Sequence, residues 1–239
     1  IWQYTRSKLK MKKVTAWIKD YAYLFSTGTF SYFKKTPPKH YLGYTKDGKA
    51  PVIILPGVLM PWAFLKPVAD HISLLGHPVY IIPKLRNNSE EISTSVKRVR
   101  EVIEENNLKN IIIVAHSRGG LISKYLMLHE DPEKRIRGII AIATPWNGSS
   151  VARYFPHSAV RELSPESKII RYIENHSEVN NKIISIIPSF DNHVWHPKGS
   201  RLEGAMQNIN VEVAGHHLVL NDKKVWKHIV EWIEKITRL

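Results

Sequence analysis

The chain has no cysteine, which excludes disulfides and any thiolate nucleophile or ligand while leaving every compartment open. It has no apolar run of about 18 residues, so no stretch reads as a membrane-spanning helix. Neither an HExxH motif nor a cluster of carboxylates occurs. Twelve scattered histidines do not make a metal site by themselves, so no metal and no cofactor are expected. Internal repeats and low-complexity tracts are also missing. Acidic residues are few, 21 against 35 lysines and arginines, which leaves a net charge of +14. Such a surplus favours anionic partners, whether acidic lipid, polyanionic substrate or nucleic acid. No recognised nucleic-acid motif accompanies it, so nucleic acid is set aside. The first residue is Ile1 and not methionine, which implies removal of something upstream. Together with the N-terminal composition, this points to a membrane-associated or secreted protein.

Hydrophobic residues make up 43% and aromatics 10% of the 239, enough for one domain with a sizeable core. Residues 1–35 differ from the rest. Val14, Trp17, Ile18, Tyr21, Leu24 and Phe25 recur at helical spacing, and Lys8, Lys10, Lys12, Lys13 and Lys19 supply positive charge. Two readings follow: a helix packed on the domain with its basic side in water, or a basic aromatic helix lying on an anionic membrane. Thr36-Pro37-Pro38 ends the helix, and residues 36–239 read as the main domain.

Within that domain, apolar strand patterns alternate with helical ones. Strands are expected at 52–55, 79–82, 111–115, 138–143, 183–187 and 209–213. Helices are expected at 63–75, 93–106, 121–129 and 222–238. Alternation of this kind implies a mostly parallel sheet with helices on both faces. Residues 150–180 carry no strand pattern and read as a small helical cap, or lid, that moves over the sheet's carboxyl edge.

The sharpest local signal is Ile111-Ile112-Ile113-Val114-Ala115-His116-Ser117-Arg118-Gly119-Gly120. A buried strand runs into a serine flanked two positions away by Ala115 and Gly119, and a helix follows at once. That is the context of a nucleophile elbow, whose strained turn needs small neighbours. A serine hydroxyl also needs an imidazole to take its proton and a carboxylate to orient that imidazole. Functional groups of a parallel sheet gather beyond the carboxyl ends of its strands. Two other such ends carry Asp191 and His216, in the order nucleophile, acid, base. Asp191 could instead serve only a local turn, and Glu178 and Glu203 are alternatives that follow no strand. His217 competes with His216; Gly215 favours His216 by giving a tight turn just before it. The backbone N–H groups of Val58, after Pro56-Gly57, and of Arg118, after the serine, are the expected oxyanion donors. Leu59, Met60, Trp146 and His193 are the expected substrate-binding residues, Trp62 and Phe64 adding further apolar surface.

These motifs resemble those of the α/β-hydrolase superfamily, and within it the small bacterial triacylglycerol lipases and carboxylesterases, from about Pro51 to the C-terminus. Ala115-His116-Ser117-Arg118-Gly119-Gly120 is similar to their elbow, and Thr144-Pro145-Trp146-Asn147-Gly148-Ser149 to the segment after their next strand. Asp191-Asn192-His193-Val194 resembles their acid loop, and Gly215-His216-His217-Leu218 their histidine loop. Pro56-Gly57 stands where they carry His-Gly, and residues 1–35 have no counterpart. The resemblance implies an α/β-hydrolase fold and a serine carboxylester hydrolase acting through an acyl-enzyme, with Ser117, Asp191 and His216 as the triad and a small-molecule or lipid ester as substrate. A lipid acyltransferase with the same triad and a non-catalytic binding protein on the same fold are the alternatives.

Overall fold

The computed structural model describes residues 2–239, with side chains described from residue 13 onward. Six strands form one sheet: β1 (Val52–Leu55), β2 (Val79–Ile81), β3 (Ile111–His116), β4 (Ile136–Ile142), β5 (Ile183–Phe190) and β6 (Gln207–Ala214). Their order is β2-β1-β3-β4-β5-β6, and every neighbouring pair is parallel. Parallel neighbours need crossovers, and the helices supply them: α1 (Trp2–Phe33), α2 (His40–Gly43), α3 (Lys66–Leu74), α4 (Ile92–Glu105), α5 (Arg118–His129), α6 (Ser158–Arg161), α7 (Lys168–Asn175) and α8 (Lys223–Arg238).

Alternation along the strands divides the core in two. Val52, Ile54, Ile112, Val114, Ile140 and Ile184 face α3 and α8, and join Val68, Ile72, Ile229 and Ile233. Ile53, Leu55, Ile111, Ile113, Ile139 and Ile183 face the other way, toward Val96, Val99, Leu121 and Ile122 of α4 and α5. Each buried aliphatic contributes about 1.5–3 kcal/mol relative to exposure, so unbroken β-branched runs such as Ile111–Val114 go to the sheet centre. Helix α8 reaches β4 closely because Gly138 has no side chain; a Cβ there would lie 2.9 Å from Ile236 Cδ1. Its start is capped by Asp222, which accepts from the amides of Lys224 (2.8 Å) and Val225 (3.1 Å).

The predicted strands at 79–82 and 138–143 run 79–81 and 136–142, and the predicted helix at 63–75 divides into a 3₁₀ turn, Trp62–Leu65, and α3. The segment 150–180 holds α6, α7 and short 3₁₀ turns without a strand.

Helix α1 does pack on the domain, but through only one edge of the stripe read from its sequence, Tyr21 and Leu24. Val14, Ile18 and Phe25 are 59%, 65% and 71% exposed. The buried positions are Ala16, Asp20 and Ser31, with Tyr23 edge-on against Phe64 at 5.8 Å. Lys8, Lys10 and Lys12 of the expected basic side lie outside the residues whose side chains are described. Among the described residues, no helix is long and apolar enough to cross a membrane.

Candidate active site

Ser117 sits between β3 and α5 at φ 51° and ψ −121°, a region that residues with a side chain rarely occupy. What holds it there is close packing on every side. A Cβ on Gly119 would lie 2.5 Å from the Leu55 carbonyl oxygen, and one on Gly120 would lie 2.2 Å from Thr144 Oγ1. The Ser117 amide donates to the Ile142 carbonyl at 2.8 Å, and Thr144 Oγ1 donates to the Ser117 carbonyl at 3.0 Å. The serine is therefore pinned from β1, β4 and the loop after β4.

The candidate acid and base arrive from the two strands beyond. His216 Nδ1 lies 2.8 and 3.0 Å from the two carboxylate oxygens of Asp191, and both side chains are buried. That pairing turns Nε2 away from the acid, and both His216 and Ser117 line one cavity. Asp191 also accepts from the amides of His193 and Val194, each at 2.8 Å. The local-turn role and the pairing with histidine thus coexist in one carboxylate. Burial pushes the Asp191 carboxyl up, but His216, through charge and hydrogen bond, and those two amides hold it below the ordinary value. Glu203 is 94% exposed and Glu178 is exposed, and neither pairs with His216.

His216 is held by its backbone as well. The His216 amide donates to Asn192 Oδ1 at 3.0 Å, and its carbonyl lies 3.0 Å from His116 Nε2. His193 stacks on the His216 ring with centroids 4.9 Å apart. Burial, followed by the neighbouring His216 and His217, keeps His116 well below the usual imidazole range and brings His193 down to about 3. Both are neutral at pH 7.

The loop after β1 comes close because Gly57 allows it. A Cβ there would lie 3.1 Å from His116 Nδ1 and 3.3 Å from Ser117 Cβ. The amide of Val58 has no acceptor among the described residues, and the Arg118 amide is the first N–H of α5, where a helix leaves donors unpaired. Two donors are thus available beside the serine. Asn88 braces this loop by donating to the carbonyls of Pro56 (2.8 Å) and Gly57 (3.2 Å).

The cavity measures about 270 Å³ and is almost wholly apolar, with walls from Leu24, Val58, Leu59, Met60, Phe155 and Val160. Leu59, Met60 and His193 therefore stand where substrate binding was expected. Trp146 does not line it. It is 2% exposed in the core facing α4 and α5, and its indole N–H donates to Ser185 Oγ at 3.0 Å. A large aromatic beside a small-residue motif is driven inward by its area, and a buried indole must find an acceptor.

Several residues escaped the sequence reading. Arg118 is expected only for its amide, yet its fully buried guanidinium donates to Asn88 Oδ1 (2.7 Å), to the Glu90 carbonyl and to Glu162 (2.7 Å). This ties the elbow to the cap, which is further fastened by Lys124 Nζ to the Ile173 carbonyl and Asn147 to Glu174. No periodicity announces such a pair. Asp20 is the other omission. It is fully buried and accepts from the amides of His217 (2.7 Å) and Leu218 (2.9 Å) and from His217 Nδ1 (2.8 Å). Its one sequence signal is that no other acidic residue precedes Asp47. Burial raises Asp20, but the hydrogen bond and charge of His217 outweigh it and leave the carboxylate ionised. Among the described residues, Asp20, His193 and His217 form the one group whose ligand atoms, within 4.8 Å of one another, could hold a metal ion. The Asp20 carboxylate already takes three protein donors, whereas His193 Nε2 is buried without a hydrogen-bond partner among the described residues.

Comparison with known proteins places the fold. Aspergillus fumigatus lipase B superposes with a TM-score of 0.68 at 17% identity, over 83% of this chain and 55% of the fungal one. The chain thus spans little more than half of that protein's length. The mature Bacillus licheniformis lipase BlEst2 gives 0.64 at 14% identity, over 80% of this chain and 95% of its own. A Paleococcus ferrophilus monoacylglycerol lipase gives 0.55 at 14% identity, over 79% and 96%. At such identities the likeness shows the fold, which is that of the α/β-hydrolases. No curated protein matches by sequence. The profile of one family does match, over residues 83–228 and so more than half of the chain, from the loop after β2 into α8. The chain belongs to the PGAP1-like alpha/beta domain family.

Proposed function

We propose that this protein is a serine carboxylester hydrolase. The observation that carries the reading is the buried Asp191–His216 pair, set at the wall of an apolar cavity that a backbone-strained Ser117 also lines. In the proposed reaction Ser117 Oγ attacks the acyl carbonyl carbon as His216 Nε2 takes its proton. The Val58 and Arg118 amides stabilise the oxyanion, and the imidazolium, held by Asp191, returns the proton to the leaving alcohol. Water activated by the same histidine then attacks the acyl-enzyme, releasing the acid and regenerating the serine. Beyond the serine and the histidines, the walls offer the acyl group almost nothing but carbon. The cavity lies just below the usual range of about 300–1,000 Å³ for ligand sites, which favours short and medium acyl chains.

Labelling by a fluorophosphonate probe, with turnover of p-nitrophenyl esters of rising chain length, tests this. Ser117→Ala should abolish both, and activity should peak at short to medium chains. An unlabelled wild type would leave a binding protein on this fold, whereas transfer to an added alcohol outpacing hydrolysis would make the enzyme an acyltransferase.

We also propose that the outer face of α1 rests on an anionic lipid surface. Val14, Ile18 and Phe25 fall on one exposed stripe, Phe30 and Phe33 are 72% and 81% exposed, and Lys19, Lys34 and Lys35 are exposed as well. The net charge of +14 complements acidic headgroups. Phe155, on the cavity wall, is itself half exposed, so the cavity has an apolar rim. Its segment, 151–160, is held by contacts within the cap, Arg153 to Glu166 and Arg161 to the Phe155 and Pro156 carbonyls, and is the part of the cap proposed to act as a lid. Sedimentation with phosphatidylglycerol vesicles but not with phosphatidylcholine vesicles would support the lipid reading; equal recovery with both would refute it.

A further inference from the structure

Helix α1 brings a carboxylate to the loop that carries the candidate base, and that carboxylate is costly where it sits. Asp20 is 0% exposed, and no lysine or arginine among the described residues lies within ion-pair distance of it. A buried carboxylate without a cation is retained only where enough donors replace its lost water. Here all three donors belong to the two residues that follow His216: the His217 amide, His217 Nδ1 and the Leu218 amide. The approach is built from both sides. Gly215 adopts φ 134°, and a Cβ on it would lie 2.6 Å from Asp20 Oδ1. The loop leaves β6, the edge strand of the sheet, so no further strand can take up its amides. Helix α1 supplies the missing layer.

His216 is thereby clamped between two aspartates. On the inner side Asn192 holds its amide and Asp191 its ring; on the outer side Asp20 holds the next two residues. The same helix touches the rest of the site. Leu24 lines the cavity, and the Tyr21 ring lies 5.5 Å from His193, which stacks on His216. Tyr32 Oη donates at 2.7 Å to the carbonyl of Leu59, a residue of the oxyanion loop held at φ 57°.

We propose, resting on the hydrolase reading above, that Asp20 is a positioning residue for the candidate base His216, acting through the His217–Leu218 backbone, so that α1 is a working part of the active site. His216 must keep Nε2 within reach of the serine through two proton transfers, and displacement of about 1 Å can cost about 100-fold in rate. Asp20 is fully buried and does not line the cavity, so its loss should appear in turnover and not in binding.

The test uses the full chain, with p-nitrophenyl butyrate as substrate and fluorophosphonate titration to count active sites. In Asp20→Ala, kcat per labelled site should fall about tenfold or more while KM stays within about twofold. Asp20→Asn keeps an acceptor for both amides and can donate its NH₂ to the other tautomer of His217. It should recover to within about threefold of the wild type. An unchanged kcat in Asp20→Ala, a loss confined to KM, or an asparagine no better than alanine would overturn the proposal. Amide hydrogen exchange on the wild type needs no variant to fold and no ester to be cleaved. The His217 and Leu218 amides should exchange as slowly as the central turns of α1, and exchange at the rate of a free loop would overturn the anchor. A wild type that binds no probe while those amides stay protected overturns the hydrolase reading, and the catalytic role of Asp20 with it, leaving a separate signature from failure of the anchor alone.

Discussion

Two aspartate–histidine pairs stand side by side at the cavity, and their origins differ. His216 takes its carboxylate from 25 residues back, at the end of the neighbouring strand, whereas His217 takes its own from 197 residues back, on α1. In both, Nδ1 faces a buried carboxylate at 2.8 Å. By pair geometry alone either imidazole could be the base. What separates them is the surroundings. His216 is stacked by His193 and held through its own amide by Asn192, while the amide of His217 is spent on the same carboxylate as its ring, which meets Phe64 edge-on at 5.7 Å. One pair is therefore built around a ring, the other around a loop. A buried Asp–His pair does not mark a catalytic base until the rest of its hydrogen bonds are accounted for.

The largest expected effect separates the two histidines. His216→Ala should lower kcat about 10³–10⁴-fold, whereas His217→Ala should lower it about tenfold, in esterase assays normalised to folded protein. The reverse order would make Asp20–His217 the catalytic pair.

A smaller effect lies in stability against pH. Burial, outweighing the partner Asp20, lowers His217 in the folded state, and His116 and His193 are lowered as well. A group with its folded pKa depressed contributes stability that is complete above its unfolded value, about 6.5 for histidine, and lost as pH falls toward the folded value. Thermal melts should therefore drop by about 5 °C or more between pH 7 and pH 4.5, before Asp20 and Asp191 begin to take up protons. His217→Gln, which keeps a donor for Asp20, should make that drop shallower. An unchanged slope would mean that His217 is not held neutral by the fold.

The smallest concerns Trp146, which serves neither pair. Trp146→Phe should leave kcat and KM within about twofold while costing about 1–2 kcal/mol in urea unfolding, through the lost indole hydrogen bond to Ser185 and some packing. A larger change in KM would return Trp146 to the substrate wall.

Legibility followed the range of the interactions. The apolar runs at 52–55 and 111–114 are local and repeat with the period of a strand, so their burial could be read directly. Ser117, Asp191 and His216 could be located because a parallel sheet puts successive strand ends at one edge. Trp146 was misread because a motif gives a residue's place in the chain and not the direction of its side chain. Helix α1 was legible only in part for a related reason. Val14, Ile18 and Phe25 of its apolar stripe face solvent, while its packed face is centred on an aspartate, a residue that hydrophobic patterning assigns to water.

By itself the sequence determined the alternation of strands and helices, the parallel sheet that follows from it, and the serine turn with an acid and a histidine at later strand ends. These depend on backbone chirality and periodic burial, which act within a few residues or along one sheet. Tertiary structure alone decided that a second carboxylate reaches the histidine loop, that Arg118 binds the cap, and that Trp146 turns inward. Each of those is a hydrogen bond or close packing between segments far apart in the chain, where only the folded geometry determines which donor meets which acceptor.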